Sequence, residues 1–145
     1  MDESDILISY VMYEVLNIHF NSKHRLAICR PHGLIDEHFA IQLLDFVTAL
    51  EDASENPFNR LLDLTSVTGI PLSGAALNQY AQERRSATAQ LPPFRTAIIA
   101  ADPNAEGFAH LYALLMQGSK IEVAIFSGLP SAAQWLGVPD GDLSP

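Results

Sequence analysis

Short apolar runs separated by amphipathic stripes constrain this chain more than any other feature. Leu61-Leu62-Asp63-Leu64 is a nearly continuous apolar run, as expected of a strand covered on both faces. Thr96-Ala97-Ile98-Ile99-Ala100 and Ile121-Glu122-Val123-Ala124-Ile125-Phe126 read as two more strands. Between the runs the spacing turns helical. Phe39, Leu43, Phe46, Val47 and Leu50 recur at three- and four-residue steps, and Phe108, Leu111, Tyr112 and Leu115 form a second stripe. Strands alternating with helices pair in parallel through crossover connections.

The boundaries are marked by residues with local reasons to be there. Asp36 suits a helix N-cap, with Glu37 in the first turn where the helix dipole favours negative charge. Ser54-Glu55-Asn56-Pro57 closes that helix. A second helix is expected over 74–87, stopped by Pro92-Pro93. Asp102-Pro103 supplies an N-cap and an N1 proline for the third, and Gly118 suits its end. A short final helix over 131–136 is closed by Gly137 and followed by Pro139. Ahead of all this, residues 13–20 and 25–30 read as strands joined by the polar turn Asn21-Ser22-Lys23-His24. Pro31 and Gly33 end that hairpin. The order is β-β-α-β-α-β-α-β-α. The expectation is a single α/β domain over 13–137, with a mixed sheet of about five strands and four helices. Residues 1–12 are expected to be a tail or an extra edge segment, and 138–145 a C-terminal tail.

The 145 residues suffice for one domain that buries roughly two-thirds of its unfolded surface. A formal net charge of −9 argues against a duplex-binding surface, which needs clustered Lys and Arg. Arg84-Arg85 is the one basic pair, and beside Glu83 it is expected on a solvated helix face. Cys29 is the only cysteine, so no internal disulfide forms and a reducing compartment is the simplest setting. The acidic start Met1-Asp2-Glu3-Ser4-Asp5 is unlike a secretory signal, and the run over 6–20 is too short and interrupted to span a bilayer. A cytoplasmic location without membrane insertion is the expectation.

Three places resemble the STAS domains (sulfate transporter and anti-sigma factor antagonist), and most of all their SpoIIAA-like bacterial branch. They are the hairpin running into Gly33-Leu34-Ile35-Asp36-Glu37, the junction over 61–77, and the ending Ile121-Glu122-Val123-Ala124-Ile125-Phe126 with Ala132-Ala133-Gln134-Trp135-Leu136. That branch is often grouped with the Sec14-like lipid-binding fold. In the anti-sigma antagonists a serine followed by glycine at the start of the second helix is phosphorylated by a partner kinase. Ser73-Gly74 falls where that pair would. Those proteins usually carry an aspartate two residues earlier, and this chain has Pro71 there.

Ser73 also has a structural explanation as an N-cap, worth about 1 kcal/mol, with Leu72 and Leu77 spaced as a hydrophobic staple. Ser73 and Gly74 are therefore a candidate phosphoacceptor or helix-cap anion site. Asp63 is costly inside an apolar strand unless it is bonded, and Thr65 and Thr68 in the following loop complete a candidate polar site. The histidines His19, His24, His32, His38 and His110 have no zinc spacing. Gly69-Ile70-Pro71-Leu72-Ser73-Gly74 is followed by Ala75-Ala76, so it lacks the lysine and magnesium ligand of a phosphate loop. No cofactor or metal is implied. Phe39, Phe46, Phe108, Tyr112 and Trp135 are candidates for lining a lipid or small-molecule pocket, though such spacing also makes a core. The sequence thus supports a non-catalytic binding or regulatory module that acts through protein contacts, with a protein partner or by self-association as a homodimer. The alternative is a carrier or sensor of a small apolar ligand or lipid.

Overall fold

The computed structural model describes residues 16–53 and 57–143. The expected segment 1–12, the start of the strand placed over 13–20, and Ser54, Glu55 and Asn56 lie outside the described residues. The first hairpin pairs β1 (Ile18–Asn21) with β2 (Leu26–Cys29), Ile18 opposite Cys29. Its turn is held by the Asn21 side chain, which accepts from the His24 N–H at 3.1 Å.

Helix α1 (Glu37–Asp52) then leads to β4 (Asn59–Asp63), α2 (Gly74–Thr88) to β6 (Phe94–Ile99), and α3 (Pro103–Leu115) to β7 (Ile121–Phe126). The main sheet has the order β1-β2-β4-β6-β7. Only the β1–β2 pair is antiparallel; the other neighbours run parallel. Each of these helices starts on the cap the sequence marks. Asp36 Oδ1 accepts from Phe39 N–H at 2.9 Å, Ser73 Oγ from Ala76 N–H at 3.0 Å, and Asp102 Oδ1 from Ala105 N–H at 3.0 Å. The last helix, α4 (Leu129–Leu136), begins two residues before its expected start and ends on Gly137 at φ +75°.

Two features depart from the sequence reading. A small parallel ladder joins β3 (Gly33–Leu34) to β5 (Val67–Gly69), where a turn and a loop are expected. Such short strands carry no periodicity of their own, and Gly33 can take φ +79° because it has no Cβ. The second departure is at the C-terminus. Residues 138–145 are expected to be a tail, yet Asp140–Leu143 form a short 3₁₀ helix with Leu143 fully buried against the α4 side of the sheet. His24 Nε2 lies 2.6 Å from Asp142 Oδ2, tying this turn to the hairpin.

Hydrophobic side chains collect in two cores, one on each face of the sheet. The larger lies under α1, α2 and α3 and includes Phe39, Phe46, Leu77, Ala81, Ala109 and Tyr112. The smaller lies under α4 and the 3₁₀ helix and includes Leu26, Leu61, Ala97, Ala132, Leu136 and Leu143.

Candidate functional site

The site begins with one row of residues across the sheet. Strand pairing sets Phe20, Ala27, Arg60, Thr96 and Val123 side by side on five neighbouring strands. Successive strand residues face opposite ways, so Arg60 rises toward the three-helix layer while Leu61 joins the core on the other side. The neighbours of Arg60 in the row, Ala27 and Thr96, are small. A cavity of about 90 Å³ opens there, bounded by Ala27, Cys29, Arg60 and Thr96 from the sheet and by Phe39, Phe46, Tyr80, Arg84, Phe108 and Tyr112 from the helices. Its lining is mostly apolar and aromatic. The half-buried lining residues Ala40, Leu43, Leu72 and Phe108 mark where it approaches the surface.

One wall of the cavity is ionic. Glu51 near the end of α1 is buried, and Arg84 of α2 meets it with both guanidinium ends. Arg84 Nη1 donates to Glu51 Oε1 at 2.8 Å, and Nη2 donates to Oε2. This is the bidentate pairing for which a planar guanidinium is suited. Arg60 reaches the same carboxylate from below, its Nη2 lying 2.8 Å from Oε2, and its Cζ sits 4.3 Å from the centre of the Phe94 ring. Burial lowers the Arg60 pKa, with Glu51 opposing and the Arg84 charge adding to the drop. Burial is the largest single influence on the Arg84 cation and works against it, but the hydrogen bonds to Glu51 together with charge interactions from Tyr80, Glu51 and Tyr112 exceed it and raise its pKa. The single carboxylate thus belongs mainly to Arg84.

Burial holds the other titratable groups of the cavity neutral. It pushes the Cys29 thiol up to about 12, and that thiol donates to the Leu16 carbonyl at 3.0 Å. Burial also raises the Tyr80 and Tyr112 phenols.

The residues singled out from sequence lie elsewhere. Ser73 caps α2 and is exposed with Gly74 on a surface groove that also contains Leu34, Pro71 and Leu111. Asp63 is buried at the end of β4, where its Oδ1 accepts from the Thr65 N–H at 3.0 Å and the Thr65 hydroxyl at 2.8 Å. Arg30 Nε lies 3.4 Å from its Oδ2, a partner that sequence reasoning did not supply. Thr68 is exposed on β5 and is not one of the residues hydrogen-bonded to Asp63 in this turn.

Two expectations need correction. Arg84 is not on a solvated face: it is 2 % exposed and paired with Glu51. Arg85 is the outer member of that pair, and its Nη1 donates to the Leu115 and Gln117 carbonyls at the end of α3. Trp135, grouped in the sequence with the cavity aromatics, lies on the opposite face against Phe126 at 5.6 Å, beside Arg95. The available signal for Arg84 was positional. It stands seven residues after Leu77 and three after Ala81, on the buried stripe of α2.

This architecture is a SpoIIAA-like fold, a mixed five-stranded sheet flanked by four helices. The chain is similar to the crystal structure of an uncharacterised protein of the DUF3478 family with a SpoIIAA-like fold, from Shewanella loihica PV-4. The match has a TM-score of 0.54 and 19 % identity, and covers 82 % of this chain and 90 % of the other. No protein-family model matches the chain, and no curated protein matches it in sequence. No helix among the described residues is long and apolar enough to cross a membrane, and none of their His, Cys, Asp and Glu side chains gather in threes as metal ligands do.

Proposed function

We propose that this protein is a non-catalytic binding module that takes a small, mostly apolar ligand between its sheet and its three-helix layer. The observation that carries this reading is the cavity of about 90 Å³. Protein interiors are close-packed, with few voids larger than a water molecule. This one is several times the roughly 10–15 Å³ that a single water needs. The lining also supports a binding role over a chemical one: Cys29, Tyr80 and Tyr112 stay protonated at neutral pH and offer no base or activated nucleophile.

Apolar cavities of this order take up xenon, which makes xenon a neutral probe of the reading. Methyl NMR spectra under xenon pressure are expected to show saturable shifts confined to lining residues such as Ile35, Leu72 and Leu77. Spectra without saturable shifts at these methyls would remove the small-ligand reading.

A second reading, action through protein contacts, has its own support. Leu34, Ile41, Leu111 and Leu114 are exposed apolar side chains, and Leu34 and Leu111 share a groove with the Ser73 hydroxyl. Exposed apolar clusters of this kind mark interaction surfaces, and phosphate on Ser73 would set a charged group on this one. Sedimentation equilibrium tests the homodimer form of this reading, which a monomer at all concentrations would eliminate.

A further inference from the structure

The ionic wall of the cavity bears on what enters it. Two guanidiniums share one carboxylate, so the buried cluster of Glu51, Arg60 and Arg84 carries one surplus positive charge. The surplus falls on Arg60. Arg84 already engages both oxygens of Glu51, whereas Arg60 has only a close approach to Oε2, without hydrogen-bond alignment, and its buried Nε has no partner. Nε and Nη2 of Arg60 are both buried, so bulk water does not reach these two donors.

Buried N–H groups are almost always hydrogen-bonded, and a buried charge is costly unless paired. Among the described residues no carboxylate lines the cavity to supply the missing partner. The flanking Ala27 and Thr96 keep the space beside the guanidinium open, and the remaining walls are mostly apolar and aromatic.

We propose that the ligand is a small carboxylate with a short apolar tail, its head completing the pairing of Arg60 and its tail filling the space between Phe39, Phe46 and Phe108. The inference rests on the reading of the chain as a small-molecule binder and names the chemical class of the molecule. A single negative charge matches a single surplus cation; a dianion would bury a second charge with nothing to balance it. A planar carboxylate also suits the planar donor edge of a guanidinium. The cavity size limits the tail to a few carbon atoms.

The test compares butyrate with butyramide, which has nearly the same shape and no charge, on the full chain by NMR titration. Butyrate is expected to bind more tightly by roughly tenfold or more, the order a charge-assisted hydrogen bond contributes, with the largest shifts at the Ala27 and Thr96 amides. Arg60→Met should abolish the preference for butyrate over butyramide. The comparison on the parent chain needs no variant, so it stands whether or not Arg60→Met folds. Equal affinity for butyrate and butyramide would overturn the carboxylate proposal. If xenon still enters in that case, the small-molecule reading survives alone. If butyrate, butyramide and xenon are all excluded, both fail. Chloride or inorganic phosphate occupying Arg60 more tightly than butyrate would also overturn the proposal, because the apolar tail would then contribute nothing.

Discussion

On one face of the sheet, α4 and the 3₁₀ helix press Ala132, Ala133, Leu136 and Leu143 onto Leu26, Leu61 and Ala97. On the other face, α1, α2 and α3 cover the same strands but enclose a cavity and a cluster of three buried charged side chains. Both faces are built from one set of strands, in alternating residues. The difference lies in what the alternation presents. The α4 side offers small and aliphatic groups, Ala97 between Leu61 and Ala124 in register, so a short helix with two alanines can approach closely. The opposite side offers Arg60 on the central strand. A guanidinium there is met by Glu51 of α1, a carboxylate it shares with Arg84 of α2, and aromatic side chains packed around such a group leave space. One face is built for closure, and the other carries the features of a binding site.

The largest test of this contrast is Glu51→Gln. It keeps the size of the side chain but leaves two buried guanidiniums without a counter-charge. Breaking a buried ion pair typically costs about 3–5 kcal/mol, a large part of a domain's total stability of roughly 5–15 kcal/mol. Denaturant unfolding is expected to show that loss. Arg60→Met should be far milder, since the Arg84–Glu51 pair remains and the removed charge is the surplus one. Equal losses for the two variants would mean that the positive charges are not divided between the arginines as described.

On the closed face, Leu143→Ala should cost about 2–5 kcal/mol, the usual range for deleting buried leucine atoms. Calorimetric unfolding would measure it. A variant as stable as the parent would show that the 3₁₀ helix is not part of the small core.

The smallest effect sharpens the comparison most directly. Ala97→Val and Ala27→Val add the same atoms to neighbouring parts of the sheet, one toward α4 and one toward the cavity. Overpacking a filled core costs about 1–3 kcal/mol, so Ala97→Val is expected to destabilise by that order. Ala27→Val should be nearly neutral, because the space beside it is vacant. Chemical denaturation of the pair would decide, and equal costs would place the two faces on the same footing.

Much of the fold was legible before the structure. The order of strands and helices follows from apolar spacing, and the caps Asp36, Ser73 and Asp102 act on N–H groups three residues ahead. Asp63 belongs to the same class, since its nearest donors come from Thr65 two residues on. The SpoIIAA-like architecture was readable for this reason, being carried by patterns that repeat within a helix, strand or turn.

The candidate site was not legible in the same way. Arg84 looks like half of a solvated basic pair, and only the meeting of α1 with α2 shows that its partner is Glu51, 33 residues earlier in the chain. Arg60 is one polar letter in an apolar strand until the register sets it between Ala27 and Thr96. The ladder of β3 with β5 and the burial of Leu143 also depend on segments that meet only after folding. By itself, then, the sequence determined the strands of the main sheet, the four helices and the caps on which α1, α2 and α3 begin, because those choices are made by interactions spanning about four residues. The tertiary structure alone decided which charges are buried together and where the packing leaves room. Pairing, desolvation and void space are properties of side chains brought together from distant parts of the chain, and no local pattern contains them.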